Sequence, residues 1–283
     1  MSKFKRGQRK YVKKTYRVRN WRDYEAGLRE RGSLTVWLSF TDGKLANWDA
    51  PRPTTAKPGR RRKYSRHAIE TAVTVGMVLG LASRQAEGFL RSLFQLLHLD
   101  NDVPDHTTIS RRKAKLGKVA FYKSDDQRPI HILIDSSGLA VHVGKLRRTP
   151  KNRDYRKLHL CVDEQTGEVI ACDLTSKRAR DSARVPSLLA QIDRPISSAR
   201  ADAAYDVVGV YDALENHRAD RSPCVLIPPR KSAKIASFYR YKTIVGSAMR
   251  ARGLPSQRVE ARIGCKILDT MTALGMPDGH MLP

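Results

Sequence analysis

HILIDSSGLAVHV, residues 131–143, decides the fold. Ile132, Leu133 and Ile134 form a short apolar run of the kind that a buried strand carries. Asp135 then sets a carboxylate where a buried strand tolerates a charge only if a partner answers it. Two serines and a glycine follow, and Leu139, Val141 and Val143 resume the apolar pattern. The period of two continues downstream. RKLHLCV (156–162) alternates as a second strand, DEQTGE (163–168) reads as a hairpin turn, and VIACDLTS (169–176) reads as a third strand.

Beyond the hairpin the pattern changes. Asp181 is read as the cap of a helix with Val185, Leu188, Leu189 and Ile192 on one face. A short strand is expected at SSARAD (197–202), a helix at 206–217 capped by Asp206, and a strand at CVLI (224–227). A last helix within 255–283 turns Val259, Ile263, Ile267 and Leu268 inward. Three antiparallel strands followed by helix, strand, helix and strand make an α/β layout.

Upstream the spacing predicts helices. Ser65 is the expected cap of one, with Ile69, Val73, Met77 and Leu81 four residues apart. Ser83 is the expected cap of a second, with Phe89, Leu90, Leu93, Phe94 and Leu97 on its apolar face. NDVPD (101–105) is a turn. A third helix opens near DHTTISRRKAKL (105–116), capped by Asp105 or Thr107 and crowded by Arg111, Arg112, Lys113 and Lys115. Helix, helix, turn and basic helix is a helix-turn-helix layout, whose last helix enters a major groove; a plain bundle with a basic outer face is the other reading. The first 64 residues read as a basic arm, ending in the Pro- and Arg-rich stretch PRPTTAKPGRRRKYSR (51–66) as an extended linker. The expected domains are thus the arm (1–64), a helical DNA-binding region (65–120) and the α/β domain (121–283).

The chain carries 54 Lys and Arg against 28 Asp and Glu, a formal charge of +26 over 283 residues. Such an excess repels itself unless a polyanion offsets it, and nucleic acid is the usual one. The cysteines show no CxxC pair, which argues against zinc. MSKFKRGQRKYVKK at the start has no apolar run behind its charges, and no apolar run reaches membrane-spanning length. A soluble, cytoplasmic protein with no membrane partner is expected.

Two stretches set a carboxylate where a strand ends or breaks: LIDSSG with Asp135 and ARADAAYD with Asp202. In a sheet of this order the first and fourth strands can lie side by side, which would bring the two together. Converging carboxylates are hard oxygen ligands suited to Mg²⁺, and a pair of such ions serves phosphoryl transfer. For one aspartate alone, a carboxylate capping a turn is an equal alternative.

DSSGLAVHVG, RDYRKLHLCVDEQTGEVIACDLTS, SSARADAAYD, VLIPPRKSA and FYRYKTIVGSAMRARGLPSQRVEARIGCKILDTMTALGMPDG together resemble the DDE transposases of bacterial insertion sequences, over nearly all of residues 105–283. The resemblance implies a ribonuclease H-like mixed sheet with flanking helices, behind an all-α, helix-turn-helix-like N-terminal region. It implies that Asp135 and Asp202 are the first two members of a catalytic triad and ligands of Mg²⁺ or Mn²⁺. The third member of the family's triad is a glutamate seven residues before a lysine. Lys242 matches the lysine, but Ile235 stands seven residues before it. IPPRKSAKIA and SFYRYK resemble the two ends of a longer family segment whose middle is deleted near 235–237. No Asp or Glu occurs between Asp220 and Glu260, and Glu260 belongs to the family pattern without being its catalytic acid. Without the deleted segment, the final helix is expected to be displaced or loosely docked.

The expected function is that of an insertion-sequence transposase that binds element ends and catalyses DNA cleavage and strand transfer, impaired by loss of the third acid. The alternative is a noncatalytic DNA-binding remnant that competes with intact transposase. A ribonuclease-like RNA enzyme is a weaker third reading, opposed by the helical DNA-reading region. The implied partner is double-stranded DNA, at terminal inverted repeats and target, with a homodimer as candidate assembly. The residues expected to touch DNA are Arg60, Arg61, Arg62, Lys63, Arg111, Arg112, Lys113, Lys115, Lys145, Arg147, Arg148, Arg156, Lys157 and Lys242.

Overall fold

The computed structural model describes residues 16–38, 40–41, 44–45, 47–49, 63–117, 128–141, 155–217, 223–227, 236–276 and 279–281. The order begins with β1 (Tyr16–Val18), α1 (Trp21–Glu30), α2 (Leu34–Trp37), β2 (Phe40–Thr41) and β3 (Lys44–Leu45). Three helices follow: α3 (Arg66–Val78), α4 (Ser83–Leu96) and α5 (His106–Lys113). Then come β4 (Ile130–Val141), β5 (Tyr155–Asp163), β6 (Val169–Ser176), α6 (Val185–Leu189), β7 (Ile196–Ala201), α7 (Val208–Glu215) and β8 (Cys224–Leu226). The last elements are α8 (Ala236–Ile244), β9 (Ala248–Met249), α9 (Leu254–Ala273) and β10 (Gly279–Met281).

The main sheet runs β6-β5-β4-β7-β8, with β9 added to the far end of β4. Strands β4, β5 and β6 form an antiparallel meander, joined between β5 and β6 by the expected turn, in which the Asp163 carboxylate accepts the Gln165 N–H at 2.9 Å. Strands β7 and β8 join parallel to β4, each after a helical crossover, as parallel pairing requires. This is the mixed sheet with flanking helices that the sequence predicts.

Side-chain alternation along β4 divides the core. Ile130, Ile132 and Ile134 face one layer with Cys161, Val185, Leu188, Leu189, Val210 and Leu214, beneath α6 and α7. Leu139 faces the other layer with Leu158, Leu160, Cys172 and Leu174, beneath Phe238 and Tyr241 of α8 and Ala261, Cys265 and Leu268 of α9. The opposite side of α9 supplies Val259, Ile263, Ile267 and Met271 to a third core, shared with Ile69, Val73, Leu90, Phe94 and Ile109 of α3, α4 and α5. One helix thus serves two cores. The sheet domain and the helical region expected to precede it share α9 rather than a linker. The final helix is not loosely docked: apolar side chains on both its sides are buried, and burial on that scale holds it in place.

Three local expectations change. Ala82 rather than Ser83 precedes α4, and its N–H is taken by the Gln85 side chain at 3.0 Å. Asp181 and Asp206 cap no helix. Asp181, at the N-cap position of the turn Ser182–Arg184, makes no side-chain cap bond and accepts from Lys157 at 3.1 Å; Asp206 stands one residue before the cap of α7 and accepts from the Tyr211 hydroxyl at 2.9 Å. The other caps form as read: Ser65 accepts the Ala68 N–H, and Asp105 those of Thr107 and Thr108.

The described part of residues 1–64 is folded onto the rest of the chain; residues 51–62, most of the stretch expected to be extended, lie outside the described residues. Strand β1 pairs with β10, the Asn20 side chain donates to Met276 O at 2.9 Å, and α1 lies so close to the end of α9 that a Cβ on Gly27 would meet Leu274 O. Trp48 is buried and donates to Asp102 O at 2.8 Å, which ties this region to the turn between α4 and α5.

Candidate active site

The register of the central strands positions the two acids. Ile134 of β4 lies opposite Ala201 of β7 in parallel pairing, so the next residues are Asp135 and Asp202. Asp135 is half-buried within β4, and its Oδ1 accepts the N–H of Ser136 at 2.7 Å. Asp202 is exposed just past the end of β7. It closes a 3-10 turn over Ala203–Tyr205, where its Oδ1 accepts the Ala204 N–H at 2.9 Å. The ring of Tyr205 anchors that turn in the α6–α7 core. Burial, and then the charges of Asp181, Asp135 and Asp202 in that order, push the phenol well above its ordinary range. Asp181 therefore belongs to the same electrostatic neighbourhood.

Lys157 and His159 of β5 stand beside Asp181. Lys157 donates to Ala179 O at 3.0 Å as well as to the carboxylate. His159 is fully buried, its Nε2 lies 2.8 Å from Thr175 Oγ1, and burial holds its pKa below the ordinary value. Neither Tyr205 nor His159 was read as part of the site from sequence. The only available signal was a large aromatic three residues after Asp202 and a histidine at an apolar-run position.

Lys242 of α8 reaches the same strand. Its Nζ donates to Ser137 Oγ at 2.6 Å, and Ser137 lies on the same face of β4 as Asp135, two residues away. The seat of α8 explains the reach: Tyr241 is buried against Gly264 of α9, where a Cβ would come within 2.6 Å of its ring. Ile235 lies outside the described residues.

Glu260 is committed elsewhere. Its oxygens accept the N–H groups of Arg250 and Ala251 at 2.7 and 2.8 Å, and Lys113 Nζ stands 3.1 Å away with both side chains mostly buried. Two carboxylates at adjacent strands suit one hard divalent cation. No group of three or more His, Cys, Asp or Glu side chains able to hold a metal occurs among the described residues.

The cations expected at DNA divide three ways. Arg111 on α5 and Lys115, two residues past its end, are exposed. Lys113 is paired to Glu260, Arg112 donates to Tyr64 O at 2.6 Å, Arg156 to Gln257 at 3.0 Å, and Lys63 is ion-paired to Asp102, so these four also tie elements together. Arg60, Arg61, Arg62, Lys145, Arg147 and Arg148 lie outside the described residues. Helices α4 and α5 are clasped by Glu87, which accepts the His106 N–H at 2.8 Å and lies 2.7 Å from its Nδ1. No described helix is long and apolar enough to cross a membrane.

Two family models, each described as "Transposase DDE domain", match residues 29–144 and 126–263. Among solved structures, the chain is similar to one from the simian T-cell lymphotropic virus intasome in complex with PP2A regulatory subunit B56 gamma. The identity there is 14%, the match covers 64% of each chain and the TM-score is 0.29. It is also similar to the Mos1 transposase paired-end complex with left transposon end, at 11% identity over 80% of this chain and 83% of that one, with a TM-score of 0.26.

Proposed function

Because this chain belongs to the DDE transposases, we propose that it binds the ends of an insertion element, with Asp135 and Asp202 as its surviving metal ligands and its cleavage and strand-transfer chemistry impaired. Domains of this family work with divalent metal ions; Mg²⁺ or Mn²⁺, held between the two aspartates, would supply positive charge at the reacting phosphate. The observation that carries the reading is the register of β4 against β7: Ile134 pairs with Ala201, so Asp135 is the next residue of β4 and Asp202 the first past the end of β7.

The chain's own residues do the rest. The turn over Ala203–Tyr205 orients Asp202, and β4 orients Asp135. Lys242, beside Ser137, lies within the reach of a phosphate approaching Asp135. Helix α5 presents Arg111, and the turn that follows it Lys115, to duplex DNA. A site for two ions needs a further acid, and Glu260 is occupied by Lys113 and two backbone N–H groups. That engagement favours the second reading as present activity: a DNA-binding remnant that competes with intact transposase at the element's ends.

The test is a strand-cleavage and joining assay on the element's own ends with Mg²⁺ or Mn²⁺, beside DNA titrations at several salt concentrations. Salt-sensitive binding with little cleavage is expected. Robust cleavage that disappears on Asp135→Ala would overturn the impairment, and salt-independent binding would overturn the phosphate contacts.

A further inference from the structure

Two arginines from distant parts of the chain meet at the C-terminal end of α9. Arg31, at the end of α1, donates through Nη2 to Gly275 O at 2.8 Å, and its guanidinium lies 5.7 Å from the centre of the Tyr24 ring. Trp37 fixes the backbone there, donating through Nε1 to Arg31 O at 2.9 Å. Arg240 of α8 donates through Nη2 to Thr272 Oγ1 at 2.9 Å. Both guanidiniums are thus anchored within one turn of helix end. The negative end of a helix attracts cations, which accounts for part of the arrangement.

Three features are left over. The Nε of Arg31 is buried and has no hydrogen-bond partner, a state that native structures seldom leave unanswered. Neither arginine is ion-paired to a carboxylate among the described residues. The acid whose charge acts on Arg240 is Asp269, whose Oδ1 accepts the Val169 N–H at 2.8 Å. Burial, and then the neighbouring charge of Arg31, hold Arg240 below its ordinary pKa, which agrees with two like charges drawn into one place. Their planar forks match the oxygens of a tetrahedral oxyanion.

We propose that Arg31 and Arg240 form a phosphate-binding site at the C-terminal end of α9, filled by an oxyanion that both guanidiniums share. The ligand is either a DNA backbone phosphate, in which case the site extends the DNA-binding reading above, or free phosphate, in which case it stands without that reading.

Two measurements on the full chain separate these sources. The first compares melting in inorganic phosphate and in chloride at equal ionic strength. Phosphate is expected to raise the Tm by about 2 °C or more, and the rise should vanish in both Arg31→Gln and Arg240→Gln. The second is the salt dependence of DNA binding. If a backbone phosphate fills the site, each single substitution lowers the log–log slope by about 0.9, and the double substitution lowers it no further, because one shared phosphate is lost once. A phosphate-dependent Tm with unchanged DNA slopes assigns the site to free phosphate. Arg31→Lys and Arg240→Lys keep the charge and serve if the glutamine forms fold poorly. No Tm response in the unmodified chain, together with slopes that do not change or that fall additively, overturns the proposal.

Discussion

Helices α8 and α9 lie against the same face of the sheet, yet they are held by different means. Helix α9 has apolar side chains buried on two opposite sides and polar anchors at Glu260 and Asp269. Helix α8 has nine residues and rests mainly on Phe238 and Tyr241, the latter set into the space over Gly264. The long helix carries the stability of the molecule, and the short one carries Lys242 to β4. A substitution can therefore damage the site without unfolding the protein, or unfold the protein without touching the site, according to which helix it strikes.

The largest effect is expected from Glu260→Ala. It leaves Lys113 mostly buried without its partner and frees two backbone N–H groups, at a cost of about 3–5 kcal/mol. Urea unfolding should report that loss across the whole chain, since α5 and α9 are joined there. A loss confined to α8 would break the comparison.

Asp269 offers the next test, through pH. Burial pushes its carboxyl up to about 7 from an ordinary 3.8, so the folded state holds a proton that the unfolded chain releases. Stability from this group is then highest below about pH 4, falls as pH rises through the interval up to about 7, and is flat above. Asp269→Asn keeps an acceptor for Val169 and removes the charge. At pH 8 it should be more stable than the unmodified protein by on the order of 3 kcal/mol, with the advantage shrinking towards pH 4. Equal stability curves for the two proteins from pH 4 to 8 would contradict the buried anchor.

Gly264→Ala should cost less, about 1–3 kcal/mol, because the added methyl drives Tyr241 out of its seat. Protease cleavage within 236–244 should rise more than global unfolding does. The smallest effect is expected from Lys242→Met, which loses one hydrogen bond to Ser137 and about 1 kcal/mol or less, while DNA binding loses about 0.9 in salt slope. A large drop in melting temperature with Lys242→Met would show that α8 supports the fold after all.

The strands were legible because period-two alternation is a local signal, and the expectation that the first and fourth of them lie side by side agrees with the pairing of β4 with β7. The turn at Asp163 and the caps at Ser65 and Asp105 were legible for the same reason. The fold of the described residues among 16–49 was not. Tyr16–Val18 is a strand because residues 279–281 pair with it, and Trp48 is buried in the core of α3, α4 and α5, against Phe94. Such partners lie far away in sequence and leave no trace in composition. Asp181 and Asp206 were misread for a related reason: a cap is inferred from the following residues, whereas Lys157 and Tyr211 reached these carboxylates through space. Tyr205 and His159 look like ordinary core residues until the sheet sets them beside three acids.

The double use of α9 bears on the order in which the protein can be made. Residues 66–113 emerge from the ribosome long before residues 254–273, yet Ile69, Val73, Phe94 and Ile109 find part of their apolar cover on Val259, Ile263, Ile267 and Met271. A chain growing from its N-terminus must hold those helices incompletely covered while the whole sheet is synthesised. The three helices and the sheet bearing the two aspartates are thus completed together, by a late-arriving helix that belongs to both.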